Sequence, residues 1–586
     1  MALAQEVRRL AKVIEAQGAA GGDPLGRWAQ LGGGVEDGGN ALGALDARER
    51  EQAMSAAIER NRAAAGHGAT QQQRPKQVSH QRAANNARDS GAVYANTANA
   101  QAANLSPWTG SLPLVSDAEL WGSGGAPSPL DWHTPTAAAG EDSERLEAVR
   151  EAFLHSWDGY VEAAYGMDEL QPRSAKGKNS FGGLGATVID ALDTAIIMGC
   201  ERCVEKARAW IAGLSFDRQY DASTFETTIR VVGGLIAAYD LTGDKLYLDK
   251  ATECADHLMP AFNTEAGIPY NQVNLRTGKG KNPSWTQRSS TLAEFGTEQL
   301  EFVALTQRTG DPKYQDAVER VVQVLRDRMP ADGLYPLYMN PNTALFTSKK
   351  VSFGAMGDSF YEYLLKTWIA GGKTPAVGLY KAMWDKTMEG MIGTLFKRSS
   401  PGNLLYIAER NGNKLVDKMD HLACFVPGML LLGSEGPNEE RFLQLAKDFT
   451  HTCVEMYFRQ PTGLSPELVK FREGDDFVSG AHHNLLRPET VESVFYLWRR
   501  TGDPMYREWA WRIFQAFQTN CRAKLGYAGL KDVRHTPPQQ DDTMQSFWLA
   551  ETLKYLYLTF SDSAVIPLDK FVLNTEAHPI RITPRA

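Results

Sequence analysis

The stretch NLLRPETVESVFYLWRRTGD, residues 484–503, puts Arg487, Glu489 and Glu492 at the head of an otherwise apolar helix. Pro488 suits the first helical position, where its missing N–H is no loss. Glu492 then falls one turn and Glu489 two turns before Tyr496, on the same stripe. One acid in a first turn needs no function, because the helix dipole favours it by about 0.3–1 kcal/mol. Here the pattern recurs. IDALDTAIIMG carries Asp190 and Asp193, FETTIRVVGGLIAAY carries Glu226, and LAEFGTEQLEFVAL carries Glu294 and Glu298. DSFYEYLLKTWI has Asp358 and Glu362, MDHLACFVPGMLLLG has Asp420, and DDTMQSFWLAETLKYLYL has Asp542 and Glu551. Asp358/Glu362 and Glu294/Glu298 are like charges four apart, which costs a helix stability. Acids set repeatedly on packing faces must line a wet cavity, bind a cation or hold protons. A pocket of acids with aromatic floors suits neutral polyhydroxylated ligands. Two carboxyl groups are also what glycosidic hydrolysis needs, one giving a proton to the leaving oxygen and one activating water or attacking the sugar. The proton donor needs a raised pKa, which a buried cluster of like charges supplies.

The elements that must position these acids are seven apolar helices, each followed by a more polar, amphipathic one such as KYQDAVERVVQVLRDRM. LTGDKLY (241–247), RTGDPKY (308–314) and RTGDPMY (500–506) repeat one helix-to-helix turn. Thr242 and Thr309 are 67 residues apart, and Thr309 and Thr501 are 192 apart, close to three further units. Units of this length suit a helix pair with a long loop. Strand-like alternation is confined to short pieces such as GLYPLYMN. The expectation is an all-α toroid with the apolar helices inside, their N-terminal ends converging at one mouth. The tail FVLNTEAHPI (571–580) interrupts apolar flanks with polar residues. If it plugs the ring, Thr575 offers a hydroxyl and a carbonyl. Such hard oxygens, with carboxylates holding water, favour calcium over zinc or copper.

The chain has 586 residues, is 43% hydrophobic and 23% charged, and carries a formal net charge of −8. No Lys/Arg stripe marks a nucleic-acid surface. No window approaches eighteen consecutive apolar residues, and the start lacks a signal-peptide core, so the protein is cytosolic or a targeting anchor is missing from this chain. Residues 1–115, rich in Ala, Gly, Gln and Asn, read as a largely disordered stem with a short helix at 4–17 and one sequon at Asn104. A linker follows over 116–142, then a helical catalytic domain over 143–586. Cys200 and Cys203 have CxxC spacing without a second pair, which reads as separate thiols beside a helix. A bridge between Cys424 and Cys453 is left open by the residues themselves.

From about 143 to 580 the chain resembles the family 47 glycoside hydrolases, the class I α-1,2-mannosidases of N-glycan processing. The resemblance is carried by WDGYVEAAYGMDEL, GLGATVIDALDTAIIMG, FETTIRVVGG, STLAEFGTEQLEF, DSFYEYLLK, MDHLACFVPG, LLRPETVES, SFWLAETLKYLYL and NTEAHPI, in that order. It implies an (α/α)7 barrel, inversion at the anomeric carbon, calcium and high-mannose N-glycans as substrate. By motif, Glu226 looks like a general acid working through water, Glu489 like the general base, and Asp358 like a third essential carboxylate, the division between Glu226 and Asp358 staying open. Thr575 looks like the direct calcium ligand. Glu362, Glu492, Glu551 and Glu576 look like the shell around ion and sugar, Phe547 like an aromatic floor, and Arg230, Glu294, His421 and Arg487 like further pocket residues. A Cys424–Cys453 disulfide is implied, hence an oxidising lumen, with the Golgi as the expected site and a type II membrane anchor outside this chain. Met356 stands where the endoplasmic-reticulum type has Arg, which resembles the Golgi type and broader trimming towards a five-mannose core. FETTIR departs from the usual Val-Asn, a matter of local hydrogen bonding. The rival expectation is a lectin-like binder of mannose glycans with little catalysis.

Overall fold

The three TGD turns are wired alike. In each, the threonine hydroxyl donates back to the helix four residues earlier, Thr242 to Ala238, Thr309 to Leu305 and Thr501 to Leu497, at 2.6–2.7 Å. The next residue, Gly243, Gly310 or Gly502, takes φ of 71°, 77° or 66°, the left-handed conformation glycine reaches without strain. The aspartate then caps the following helix: Asp244 accepts from Leu246 N, Asp311 from Lys313 N and Asp503 from Met505 N, at 2.9–3.1 Å. One helix stops and the next starts antiparallel to it within three residues.

The structure, a computed structural model, describes residues 142–585. The expected stem, the helix at 4–17, the sequon at Asn104 and all but the last residue of the linker lie outside them. Fourteen principal helices alternate along the chain. The outer ones are α1 (Ser143–Ala163), α3 (Glu201–Ala212), α5 (Lys245–Leu258), α7 (Lys313–Asp327), α9 (Gly378–Thr394), α11 (Glu439–Phe458) and α13 (Pro504–Asn520). The inner ones are α2 (Leu192–Ile197), α4 (Gly233–Thr242), α6 (Gln299–Thr309), α8 (Asp358–Ala370), α10 (Val426–Leu432), α12 (Glu489–Thr501) and α14 (Leu553–Phe560). On α7 only one stripe is buried, with Tyr314, Val318, Val321, Val322 and Leu325 recurring every three or four residues. On α12 all nine residues from Glu489 to Leu497 are buried, as befits a helix enclosed on every side.

Each inner helix packs on the outer helix that follows it and on its inner neighbours. The ring closes where α14 packs on α1, while the turn of helix before α14 meets α2, with Thr194 Oγ1 donating to Ala550 O at 3.4 Å. This is the (α/α)7 barrel, with seven helices inside and seven outside. Thr309 ends the third inner helix and Thr501 the sixth, so the 192-residue interval does span three units. Strands form only small two- and three-stranded sheets among the described residues.

One hairpin matters for the site. β1 (Phe571–Leu573) pairs antiparallel with β2 (Pro579–Arg581), with Val572 opposite Ile580, and the turn between them enters the barrel. Asn574 ties it down, donating through Nδ2 to Ile229 O at 3.0 Å and to Glu301 Oε1 at 2.8 Å. Its own Oδ1 accepts from the amides of Glu576 and His578 at 2.9 and 2.8 Å. Gly233 makes room, since a Cβ there would stand 2.5 Å from Asn574 Nδ2.

Two sequence expectations change here. Cys200 and Cys203 are not separate thiols but a disulfide: Cys200 caps α3 and Cys203 lies in its first turn, which brings their Cα atoms within 5.3 Å. Glu294 and Glu298 do not share a helix face, because helix Leu292–Phe295 ends at Gly296 and Glu298 begins the next. The Cys424–Cys453 bridge is present, with Cα atoms 5.9 Å apart.

Candidate active site

The segments leading into six inner helices, α4 through α14, together with the first turns of α8 and α12, line one cavity of about 370 Å³, within the usual range for a small-molecule site. Its lining includes Glu226, Glu294, Asp358, Glu362, Glu489, Glu492, Glu551 and Glu576, with Arg230, Arg487, Phe547 and Thr575. Eight carboxyl groups therefore face two guanidinium groups. Every site residue expected from the sequence lies there except His421, which stands behind the wall and touches Glu489. The disulfide holds the wall element in place: Cys424 is in the turn His421–Phe425 that leads into α10, and Cys453 is on α11.

Local backbone irregularities aim two of the side chains. A π-helical stretch, Thr227–Val232, interrupts the helix entering α4 and carries Arg230. A second one, Trp548–Thr552, precedes α14 and carries Glu551. Such π bulges shift a side chain round the helix and are frequent at functional sites. Met356 lines the cavity with φ of 75°, and Tyr338 OH donates to its sulfur at 3.4 Å.

The two guanidiniums flank Phe547, Arg230 at 5.9 Å and Arg487 at 5.7 Å from the ring centre. Arg230 pairs with Glu226 at 2.8 Å, with Glu576, and with Asp190 at 3.4 Å. Arg487 pairs with Glu467 at 2.5 Å and lies 3.7 Å from Glu489. Phe547 is thus a pinned ring, able to pack on the apolar face of a sugar.

The carboxyl groups separate by protonation. Burial pushes Asp358 up to about 7, and the negative charges of Glu362 and Glu489 add to the rise. Burial also works to raise Glu489, but the hydrogen bond from His421, 2.7 Å away, and the Arg487 charge hold it below the usual glutamate value. Burial lifts Glu294 to about 7, helped by Glu226 and opposed by Thr291. Glu492, Glu551 and Glu576 are all pushed up by burial first and by neighbouring carboxylates second. One acid that keeps a proton near neutrality beside one that loses it readily is the pairing acid–base chemistry needs.

The other acids of the expected set go elsewhere. Asp190 and Asp193, from the head of α2, turn beneath the cavity towards His578 and Lys554. Glu298 is fully buried outside the lining, Asp420 pairs with Lys418, and Asp542 accepts from the amides of Arg173 and Ser174. Residues missed from the sequence include Phe225, Trp285, Thr291, Leu422 and Phe425, which line the cavity but carry no chemical signature in the chain.

Among the described residues, no three His, Cys, Asp or Glu side chains converge as direct metal ligands. The donors around Thr575 are oxygens: its own hydroxyl donates to Glu362 Oε2 at 2.8 Å, and Glu492, Glu551 and Glu576 line the same cavity. That set fits a hard cation held by threonine oxygens and water, and does not fit zinc.

Comparison with known proteins agrees with this site. Residues 152–582 match Glycosyl hydrolase family 47. Mannosyl-oligosaccharide 1,2-alpha-mannosidase MNS1 of Arabidopsis thaliana is 57% identical over 449 residues, 76% of this chain and 80% of the relative. Mannosyl-oligosaccharide alpha-1,2-mannosidase IA of Drosophila melanogaster is 44% identical over 452 residues, 75% of this chain and 67% of the relative. The solved alpha-1,2-mannosidase from Trichoderma reesei superposes with a TM-score of 0.72 at 30% identity, covering 76% of this chain and all of that one. With a matched segment that runs from the middle of α1 through the hairpin plug, the chain belongs to glycosyl hydrolase family 47.

Proposed function

We propose that the chain hydrolyses terminal α-1,2-linked mannose from high-mannose N-glycans, with inversion and in dependence on calcium, trimming towards the five-mannose core. The observation that carries this reading is the opposed pair of acids in one cavity: Asp358 keeps its proton to about 7, while His421 and Arg487 keep Glu489 ionised. In this reading Glu489 takes a proton from the attacking water. Asp358 is the better proton store of the two candidate acids, because Glu226 is engaged by Arg230 at 2.8 Å. Glu226, which also lines the cavity, would then relay the proton to the leaving oxygen through water. Proton transfer of this kind contributes on the order of 10²–10⁴ in rate.

Phe547 would carry the sugar ring, and Arg230 and Arg487 fix that phenyl group. Thr575 would hold calcium through its two oxygens, with Glu362, Glu492, Glu551 and Glu576 around it. Calcium in that place supplies a fixed positive charge to which two sugar hydroxyls can bind. Met356, an apolar side chain in the lining, supports the broader trimming of the Golgi type. Two disulfides suit an oxidising compartment, hence a lumenal enzyme of the secretory pathway. No helix among the described residues is long and apolar enough to cross a membrane.

The test is a time course with a labelled oligomannose glycan, with and without a calcium chelator, following free mannose and its anomer by NMR. Release of β-mannose that stops on chelation is expected. Retained glycan without mannose release would instead support the lectin-like reading, and release of α-mannose would exclude inversion.

A further inference from the structure

Beneath the cavity two lysines are sealed from water: Lys366 on α8 is 1% exposed and Lys554 on α14 is 0%. A buried ammonium group persists only when paired and hydrogen-bonded. Each of these does two things. Lys366 Nζ pairs with Glu362, faces Glu492 Oε1 at 3.8 Å, and donates to the Asn574 carbonyl at 3.4 Å. Lys554 Nζ pairs with Asp193 at 2.7 Å and donates to the Ala577 carbonyl at 2.8 Å. Asn574 and Ala577 are the two ends of the turn that carries Thr575. The lysines come from two separate inner helices, and neither lines the cavity.

We infer that Lys366 and Lys554 are positioning residues that clamp the 574–577 turn from both ends, presenting the Thr575 oxygens to a hard cation before the cation arrives. Neutralising buried acids does not account for where the lysine protons go. Asp193 already receives His578 Nδ1 at 3.0 Å, yet Lys554 also reaches the turn. Lys366 likewise holds Glu362, whose second oxygen accepts the Thr575 hydroxyl at 2.8 Å. Ala577 sits at φ of 58°, a conformation an L-residue adopts only when its surroundings impose it. A turn ordered in advance spares the cation the entropy of ordering it. The inference rests on the reading of Thr575 as the cation's ligand.

The experiment titrates calcium chloride into chelator-stripped full-length protein by calorimetry, for wild type, Lys366→Met and Lys554→Met. Because Lys554→Met strands Asp193 without its ammonium partner, Lys554→Met/Asp193→Asn is carried as a charge-matched second variant. Amide exchange over 574–578 is read on the stripped proteins, and far-UV circular dichroism checks the fold. Calcium affinity at least tenfold weaker, with faster exchange over the turn, is expected in each folded variant. Wild-type affinity and wild-type exchange in the folded variants overturn the clamp alone. A wild type that binds no calcium overturns the reading of Thr575 and the clamp with it.

Discussion

Replacing His421 with Phe tests whether Glu489 works as a carboxylate held in that form by its neighbour. His421 is 1% exposed; with Nδ1 carrying the proton it donates to Glu489 Oε2 across 2.7 Å, while Nε2 meets Tyr457 OH at 2.8 Å and Thr490 Oγ1 at 3.1 Å. A hydrogen bond to a charged acceptor contributes about 1.5–3 kcal/mol, and one pKa unit is about 1.4 kcal/mol. Losing the bond should raise the Glu489 pKa by about 1–2 units. Arg487, 3.7 Å from the other carboxylate oxygen, remains and keeps the change towards the lower figure. The proposed mechanism requires Glu489 ionised, so its pKa would form the acidic limb of the kcat/KM profile. Raising it moves that limb upward, while the alkaline limb, formed where Asp358 loses its proton near 7, stays in place. One unit above the wild-type limb, where about 90% of wild-type Glu489 is ionised, the variant should retain roughly 10–50%. The assay is kcat/KM for a small α-1,2-linked mannobioside measured across the acidic and neutral range. A variant whose acidic limb has not moved refutes the role given to His421, and one whose alkaline limb moves instead assigns the base and acid the wrong way round.

Other consequences are equally direct. The Cys424–Cys453 bridge closes a loop with a sequence separation of 29, so a Cys424→Ser/Cys453→Ser variant should be less stable by about 3–4 kcal/mol in urea unfolding. Gly233→Ala should lower stability by about 1–3 kcal/mol, because its Cβ would press on Asn574 Nδ2 at 2.5 Å. Gly393→Ala, in the last turn of outer helix α9 with nothing within 4 Å, should leave stability unchanged or raise it by up to about 1 kcal/mol, as thermal unfolding will report. Calcium should raise the thermal midpoint of the stripped wild-type protein, and Thr575→Ala should shrink that rise; an undiminished rise would place the ion elsewhere.

The architecture could be read from the sequence because its signals are local. The threonine, glycine and aspartate of each TGD turn act within eight residues, and the apolar–amphipathic alternation follows from burial alone. The acids were legible for a different reason: a carboxylate on an apolar stripe is conspicuous whatever its partner. What escaped depends on contacts between distant segments. Asp193 and Glu226 look alike in sequence, yet Asp193 meets a lysine 361 residues away and turns to the floor. The π stretches at Thr227–Val232 and Trp548–Thr552 break the 3.6-residue period by one residue, too little to see in the pattern. Cys200 and Cys203 read as separate thiols because spacing alone does not say that a helix begins between them.

The charges are sorted into two levels, and the sorting explains how a barrel can tolerate so acidic a cavity. On the floor, acids are matched: Asp193 with Lys554, Glu362 with Lys366, and Asp240 with Arg308 Nε at 2.7 Å. Around the cavity only some are, Glu226 and Glu576 with Arg230 and Glu489 with Arg487, and the excess has a cost that depends on pH. Asp358, raised from 3.8 to about 7, gives full stability below the ordinary carboxylate pKa and loses it as pH rises through about 7. Three units correspond to about 4 kcal/mol, a large part of the 5–15 kcal/mol that holds a domain folded. Helix N-termini offset some of this around the cavity, since Asp358 and Glu489 stand in the first turns of α8 and α12. The remainder has to come from below, from the matched floor and the hairpin turn bolted into it. Removing an acid around the cavity should therefore relieve the fold while disabling the chemistry, whereas removing a cation from the floor should damage both.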